Sequence, residues 1–222
     1  MAASLPLRFK YQTIEFGGST DIHIRTLRDH QQYSDPEGAA DALGISSAQW
    51  PLFGVLWESS RVLADLMHGY DVAGRRILEV GCGIGLASLV LNHREADITA
   101  TDYHPEAGLF LQENVRLNRG QEIPFVRTGW DDAVSKLGDF DLIIGSDILY
   151  EREHVELLAA FVAQHARPRC EVVIVDPGRG HHARFSRTMV GNGFTHSQYR
   201  PPGSQTVPNY KGQVLVYRRE SA

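Results

Sequence analysis

Between residues 76 and 219, short apolar runs alternate with segments whose apolar residues recur every three or four positions. The runs are "RILEV" (76–80), "ADITATD" (96–102), "PFVRTGW" (124–130), "FDLIIGSD" (140–147) and "CEVVIVDPG" (170–178). Stretches such as "LIIG" and "VVIV" are continuous, not alternating, and so predict strands buried on both faces. The intervening segments 86–92, 105–118, 152–165 and 181–193 predict helices. In the second, Ala107, Phe110, Leu111, Asn114 and Leu117 share a face; in the third, Val155, Leu158 and Val162 do. Strands alternating with helices give an α/β parallel sheet. The last two apolar runs, "FTHSQYR" (194–200) and "QVLVYRR" (213–219), have no helix between them. Pro201, Pro202, Gly203 and Pro208 lie in their connection and predict an antiparallel hairpin.

Upstream, residues 57–69 place Leu63, Leu66 and Met67 at helical spacing, with Gly69 as a stop. Residues 11–28 hold two alternating runs around Gly17-Gly18-Ser19-Thr20, a hairpin signal. Residues 29–49 are polar and turn-rich and read as a loop or short helix. The expected organisation is an extension with a β-hairpin over 1–50 and one main domain over 51–222.

The chain has 222 residues, enough for one sizeable core. Hydrophobic residues make up 42% and charged residues 22%, with a net charge of -5. That balance describes a soluble protein and argues against a general nucleic-acid binder, which carries a basic face. Cys82 and Cys170 form no CxxC pair, so neither a zinc site nor a disulfide framework is expected. There is no signal-peptide core and no run of about 20 apolar residues, which predicts a cytoplasmic protein off the membrane. No long apolar surface helix stands out, and a monomer is the default expectation.

Three features carry chemistry. "EVGCGIG" puts Gly81, Gly83 and Gly85 at the end of the first parallel strand, where α/β sheets bind ligands. Glycines there admit a ligand close to the backbone; the plain alternative is a tight strand-to-helix turn. Asp102 ends the second strand, 21 residues after Gly81, near the spacing at which an acid accepts ribose hydroxyls. Its alternative is an N-cap for the helix that follows. "IGSDILY" (144–150) ends a buried strand in Ser146, Asp147 and Tyr150, and polar groups are costly to bury unpaired. Asp147 lies some four residues before the next helix, too early for a good cap.

"ILEVGCGIGLASL" with "ITATDYHPEA" resembles the first two motifs of class I, seven-strand methyltransferases, and the closing hairpin is similar to their antiparallel seventh strand. The resemblance covers roughly residues 50–218 and implies a Rossmann-like, doubly wound seven-strand sheet. "WPLFGVLWESSRVLADLM" and "GSDILYE" resemble the methyltransferase family 16 group of protein lysine methyltransferases, which show a tryptophan before the first strand, one after the third, and Asp-x-x-Tyr after the fourth.

That resemblance implies S-adenosyl-L-methionine as cofactor, S-adenosyl-L-homocysteine as product and a protein lysine as acceptor. It implies that Glu79 and Gly81, Gly83 and Gly85, with Cys82 among them, hold the methionine end. Asp102 would hold the ribose, Tyr103 and Trp130 would flank the adenine, Ser146 would lie under the cofactor and Trp57 near its methionine part. Trp57 and Trp130 could equally be core. Asp147 and Tyr150 would be the catalytic pair. A lysine amine has a pKa of about 10.4 and must lose its proton to attack. A carboxylate can align it, and a tyrosine ring can face the developing cation. No metal is expected, and neighbouring His181 and His182 read as solvated helix-start residues. Arg179 in "DPGRGHH" could meet an acidic substrate or a loop carbonyl. The alternatives are N-methylation of a small amine or pyridine, a nicotinamide-dependent oxidoreductase, and a non-catalytic cofactor sensor. Against the oxidoreductase stand the missing last fingerprint glycine and the trailing hairpin.

Overall fold

The computed structural model describes residues 8–28, 35, 37–132, 137–203 and 207–220. The elements in chain order are β1 (Phe9–Phe16), β2 (Thr20–Leu27), α1 (Glu58–Gly69), β3 (Arg76–Val80), α2 (Leu86–His93), β4 (Asp97–Asp102), α3 (Ala107–Leu117), β5 (Phe125–Arg127), β6 (Phe140–Ser146), α4 (His154–His165), β7 (Ala166–Asp176), α5 (His182–Gly191), β8 (Thr195–Tyr199) and β9 (Gln213–Arg219). Single 3-10 turns occupy Asp41–Leu43 and Leu52–Gly54. Of the loop expected over 29–49, residues 29–34 and 36 lie outside the described residues.

Seven strands form one sheet in the order β5-β4-β3-β6-β7-β9-β8. β3 to β7 pair in parallel, and β9 runs antiparallel to both neighbours. Alternation along each strand sorts the core into two layers. Ile77, Leu142, Ile144, Val173, Val175, Val214 and Val216 face α1, α2 and α3. Leu78, Val80, Ile143, Val172, Ile174, Leu215 and Tyr217 face α4 and α5. Helices on both faces explain why these strands are continuous apolar runs.

Three expectations shift at their edges. The third strand is short: the Asp132 carboxylate accepts from Gly129 N (2.8 Å) and Thr128 Oγ1 (2.9 Å), folding the chain away after Arg127. β7 starts earlier than read, at Ala166 directly after α4. On α3 it is Val115, not Leu117, that completes the buried face.

The hairpin forms where expected, as a separate two-stranded sheet turning at residues 17–19. It does not cover an edge of the main sheet. It packs on the helical layer, with β2 against α3 and α2. Two asparagines four residues apart, Asn114 on α3 and Asn118 at its C-cap, meet two residues that alternate along β2. Asn118 accepts from His23 N (2.8 Å) and donates to His23 O (2.6 Å). Asn114 accepts from Arg25 N (2.7 Å) and donates to Arg25 O (3.4 Å). The outer edge of β2 is thereby satisfied by side-chain amides, where a third strand would otherwise have to supply the partners.

Candidate active site

At the carboxyl end of β3 the chain turns through Gly81, Gly83 and Gly85, all left-handed (φ 62°, 54° and 77°), into α2. Left-handed backbone favours glycine, and there is also no room for more. A Cβ at Gly81 would stand 2.8 Å from Ile148 Cγ2, one at Gly83 3.0 Å from the Phe53 carbonyl oxygen, and one at Gly85 would run into Leu111. The turn is pinned from β4: Cys82 N donates to Thr101 O (2.9 Å) and Gly83 N to Asp102 Oδ2 (2.8 Å). Asp102 Oδ1 accepts from His104 N (2.8 Å). Asp102 therefore joins two loops and is not the N-cap of α3, a position that falls to Glu106. Burial pushes its carboxyl pKa up, against the pull of those backbone hydrogen bonds.

Glu79 points from β3 toward α2 and is 2% exposed. Its Oε2 accepts from Ser88 N (2.9 Å) and from Ser88 Oγ. Burial raises its pKa to about 7, opposed by the bonds from Ser88. Cys82 is buried, and burial pushes its thiol up.

β6 ends at Ser146, and its pairing with β7 carries one step further, since Asp147 N donates to Val175 O (2.9 Å). Asp147 then turns left-handed (φ 54°), a conformation that aspartate tolerates better than most residues. α4 begins at His154, so Asp147 lies even further from a capping position than the sequence indicates. The next residue, Ile148, fills the space over both Gly81 and Gly145, with its side chain 2.8 and 2.7 Å from where their Cβ atoms would sit. The "SDILY" segment thus rests directly on the glycine turn.

The Asp147 carboxylate is engaged. Arg179 Nε donates to its Oδ1 (2.5 Å) and Nη2 to its Oδ2 (2.8 Å), a two-pronged ion pair. The Asp147 side chain is 9% exposed and that of Arg179 43%, so the guanidinium covers the acid from the solvent side. Arg179 stands between Gly178 and Gly180, both left-handed. Tyr150 is 44% exposed, yet the partial burial of its phenol raises its pKa to about 12, with the charges of Glu151, Asp102 and Asp147 adding to the shift. It stays a neutral phenol at working pH.

The aromatic groups divide. Trp130 meets His154 edge-on at 5.2 Å, and Tyr150 meets the same ring at 4.5 Å. His154 thus joins two residues marked in the sequence, and sequence reasoning missed it. Trp57 precedes α1 and donates from Nε1 to Leu52 O (3.2 Å). Tyr103 donates from its hydroxyl to Leu43 O (2.6 Å) and borders Gly129. His182 is not simply solvated: its Nδ1 lies 3.6 Å from Oδ2 of the buried Asp176. Among the described residues no group of three or more His, Cys, Asp or Glu side chains could hold a metal ion, and no helix is long and apolar enough to cross a membrane.

The fold recurs in solved structures. The Thermus thermophilus 16S rRNA guanine methyltransferase, solved with its methyl donor and guanosine, superposes with a TM-score of 0.66 at 15% identity, covering 99% of this chain and 52% of that one. Among curated proteins, the protein N-lysine methyltransferase METTL21A of Danio rerio is 30% identical over 117 residues, 48% of this chain and 54% of its own length. The electron transfer flavoprotein beta subunit lysine methyltransferase of Xenopus laevis is 28% identical over 141 residues, 61% and 55%. The matches thus span about half the length of these relatives. A lysine methyltransferase family model matches residues 47–185, from just before the first tryptophan of the site to the first turn of α5, and takes in the glycine turn, Asp102, Trp130 and the Asp147–Tyr150 pair. On that match, and on a fold that agrees with it, the chain belongs to the lysine methyltransferase family.

Proposed function

We propose that the chain is an S-adenosylmethionine-dependent N-methyltransferase that modifies a lysine side chain of a protein. One observation carries the reading. Ile148 packs the Asp147–Tyr150 segment onto the glycine turn, so a donor-binding loop and an acceptor-binding loop touch at one sheet edge.

The residues present fit the cofactor. The glycine turn has no space for side chains and offers bare backbone. Asp102 accepts backbone N–H groups on both oxygens, and a carboxylate's lone pairs leave acceptor capacity for a diol. Glu79, Gly81, Cys82, Gly83 and Gly85 would hold the amino-acid end, and Asp102 the ribose. Trp57, Tyr103, Trp130 and Ser146 would complete the surroundings. When bound, S-adenosylmethionine supplies a sulfonium methyl group open to in-line attack by an amine.

The chain's own part is to orient that amine and help it shed a proton. Tyr150 presents a neutral ring and hydroxyl. A bare carboxylate would stabilise the ammonium form and hold its proton. Asp147, already paired with Arg179, aligns the amine with much less of that effect. The remainder is proximity and orientation. The two cysteines are free and buried, which supports a reducing, cytoplasmic setting.

The test has two steps. Calorimetry should show binding of S-adenosylhomocysteine and none of NAD; NAD binding alone would overturn the assignment. Incubation with tritiated S-adenosylmethionine and a protein extract should then yield labelled methyllysine on hydrolysis. Label found only in the low-molecular-weight fraction would replace the protein acceptor with a small amine.

A further inference from the structure

The family match begins at residue 47, so the hairpin β1–β2 lies outside it. We infer that this hairpin belongs to the cofactor site: it braces the glycine turn, and Asn114 is the positioning residue that joins the two. The inference rests on the cofactor reading above.

Asn114 is fully buried. Its Oδ1 accepts from Arg25 N (2.7 Å), while its Nδ2 donates both to Arg25 O (3.4 Å) and to Ile84 O (3.0 Å). Ile84 is the residue between Gly83 and Gly85. One amide therefore ties the hairpin's backbone to the backbone of the turn. A buried carbonyl without a donor is costly, so Asn114 fixes the orientation of the Ile84 peptide, and with it the left-handed glycines on either side.

A second route runs through packing. Leu27 of β2 lies where a Cβ on Gly54 would be, at 2.6 Å, and the preceding carbonyl, of Phe53, closes over Gly83. Phe110 of α3 holds this layer together. It meets Phe53 edge-on at 4.9 Å and Phe9 of β1 at 5.8 Å, and the Arg25 guanidinium lies over both Phe9 (4.3 Å) and Phe110 (4.7 Å). The hairpin thus reaches the turn from two sides. Asn118 provides an internal comparison, because it clamps the same strand at His23 but makes no bond to the turn in this geometry.

Coupling between sites is reciprocal. If the hairpin holds the turn in its binding shape, a ligand on the turn must hold the hairpin. The experiment uses S-adenosylhomocysteine as probe and the full chain. In wild type, the probe should slow hydrogen exchange at the Arg25 amide several-fold. Asn114→Asp keeps an acceptor for Arg25 N–H but loses the donor to Ile84; it should weaken probe binding by about tenfold, the equivalent of one lost hydrogen bond. Asn118→Ala should loosen exchange at His23 yet leave probe affinity within about twofold. Arg25 exchange that is identical with and without bound probe would overturn the inference, as would Asn114→Asp binding like wild type. If that variant does not fold, the wild-type exchange measurement decides by itself. A wild-type chain that binds no S-adenosylhomocysteine overturns the cofactor reading and this inference together. A chain that binds it with an indifferent hairpin overturns only the inference.

Discussion

Asp147 bears two constraints at once, a left-handed backbone and a guanidinium on both carboxylate oxygens. An asparagine at this position would respect the first, since asparagine also tolerates that conformation. We therefore expect Asp147→Asn to fold normally, to bind S-adenosylhomocysteine within about twofold of wild type, and to lose methyl transfer by on the order of 10²-fold. A matching loss of cofactor affinity would assign the residue to the donor side. Arg179→Gln tests the partner. It leaves an uncompensated carboxylate beside the acceptor, which holds the amine's proton more tightly. The pH above which transfer becomes efficient should move upward, while Arg179→Lys restores part of the wild-type profile; superposable profiles would show that the guanidinium is only structural. The acid and the tyrosine were legible in sequence because a buried strand ended in them. Their neighbour His154 was not, and Arg179, marked in the sequence for an acidic substrate or a loop carbonyl, pairs instead with Asp147. The Asp147–Arg179 pair spans 32 residues and exists only because β6 and β7 are adjacent in the sheet, which no local pattern states.

Among the elements, strands facing helices on both sides announced themselves as continuous apolar runs, and helices by their spacing. What the pattern did not carry was competition from side chains. Asp132 captures the backbone that would have lengthened β5, and Asn114 and Asn118 recruit the hairpin to α3. The junction of β3 and α2 makes a further prediction. Glu79 has a pKa of about 7 in the fold, against 4.5 for an ordinary glutamate, chiefly through burial. Above about pH 4.5 the unfolded chain releases this proton while the folded chain keeps it, so stability falls as pH rises toward 7 and is level beyond. The full effect is about 3 kcal/mol. Glu79→Gln should remove that slope, measured as urea midpoints between pH 4.5 and pH 8. An unchanged slope would mean that Glu79 is ionised in the folded protein.

At the scale of the molecule the net charge is -5, and several acids lie along the stretch that borders the site. Glu106 lies within the influence of Glu37 and Asp35, which add to the effect of burial in raising its pKa. Gln49 donates to Glu151 (2.8 Å), and Tyr103 reaches Leu43, so the stretch from residue 37 to residue 49 borders the same edge. A lysine-bearing, basic protein surface should be attracted there. We expect KM for such an acceptor to rise several-fold between about 50 and 300 mM salt with kcat nearly constant; salt-independent KM would argue for an acceptor recognised without charge.

The placement of β9 has a consequence for how the chain is made. Among the described residues, β8 pairs only with β9, and β9 occupies the side of β7 that β6 leaves free. As the chain leaves the ribosome, the apolar segment Val172–Val175 is therefore exposed along one edge, and β8 has no strand to pair with, until residues 213–219 emerge. Sheet closure waits for residues 213–219 to be synthesised, and through that interval the nascent protein carries an open, hydrophobic strand of the kind that chaperones bind and that drives misassembly.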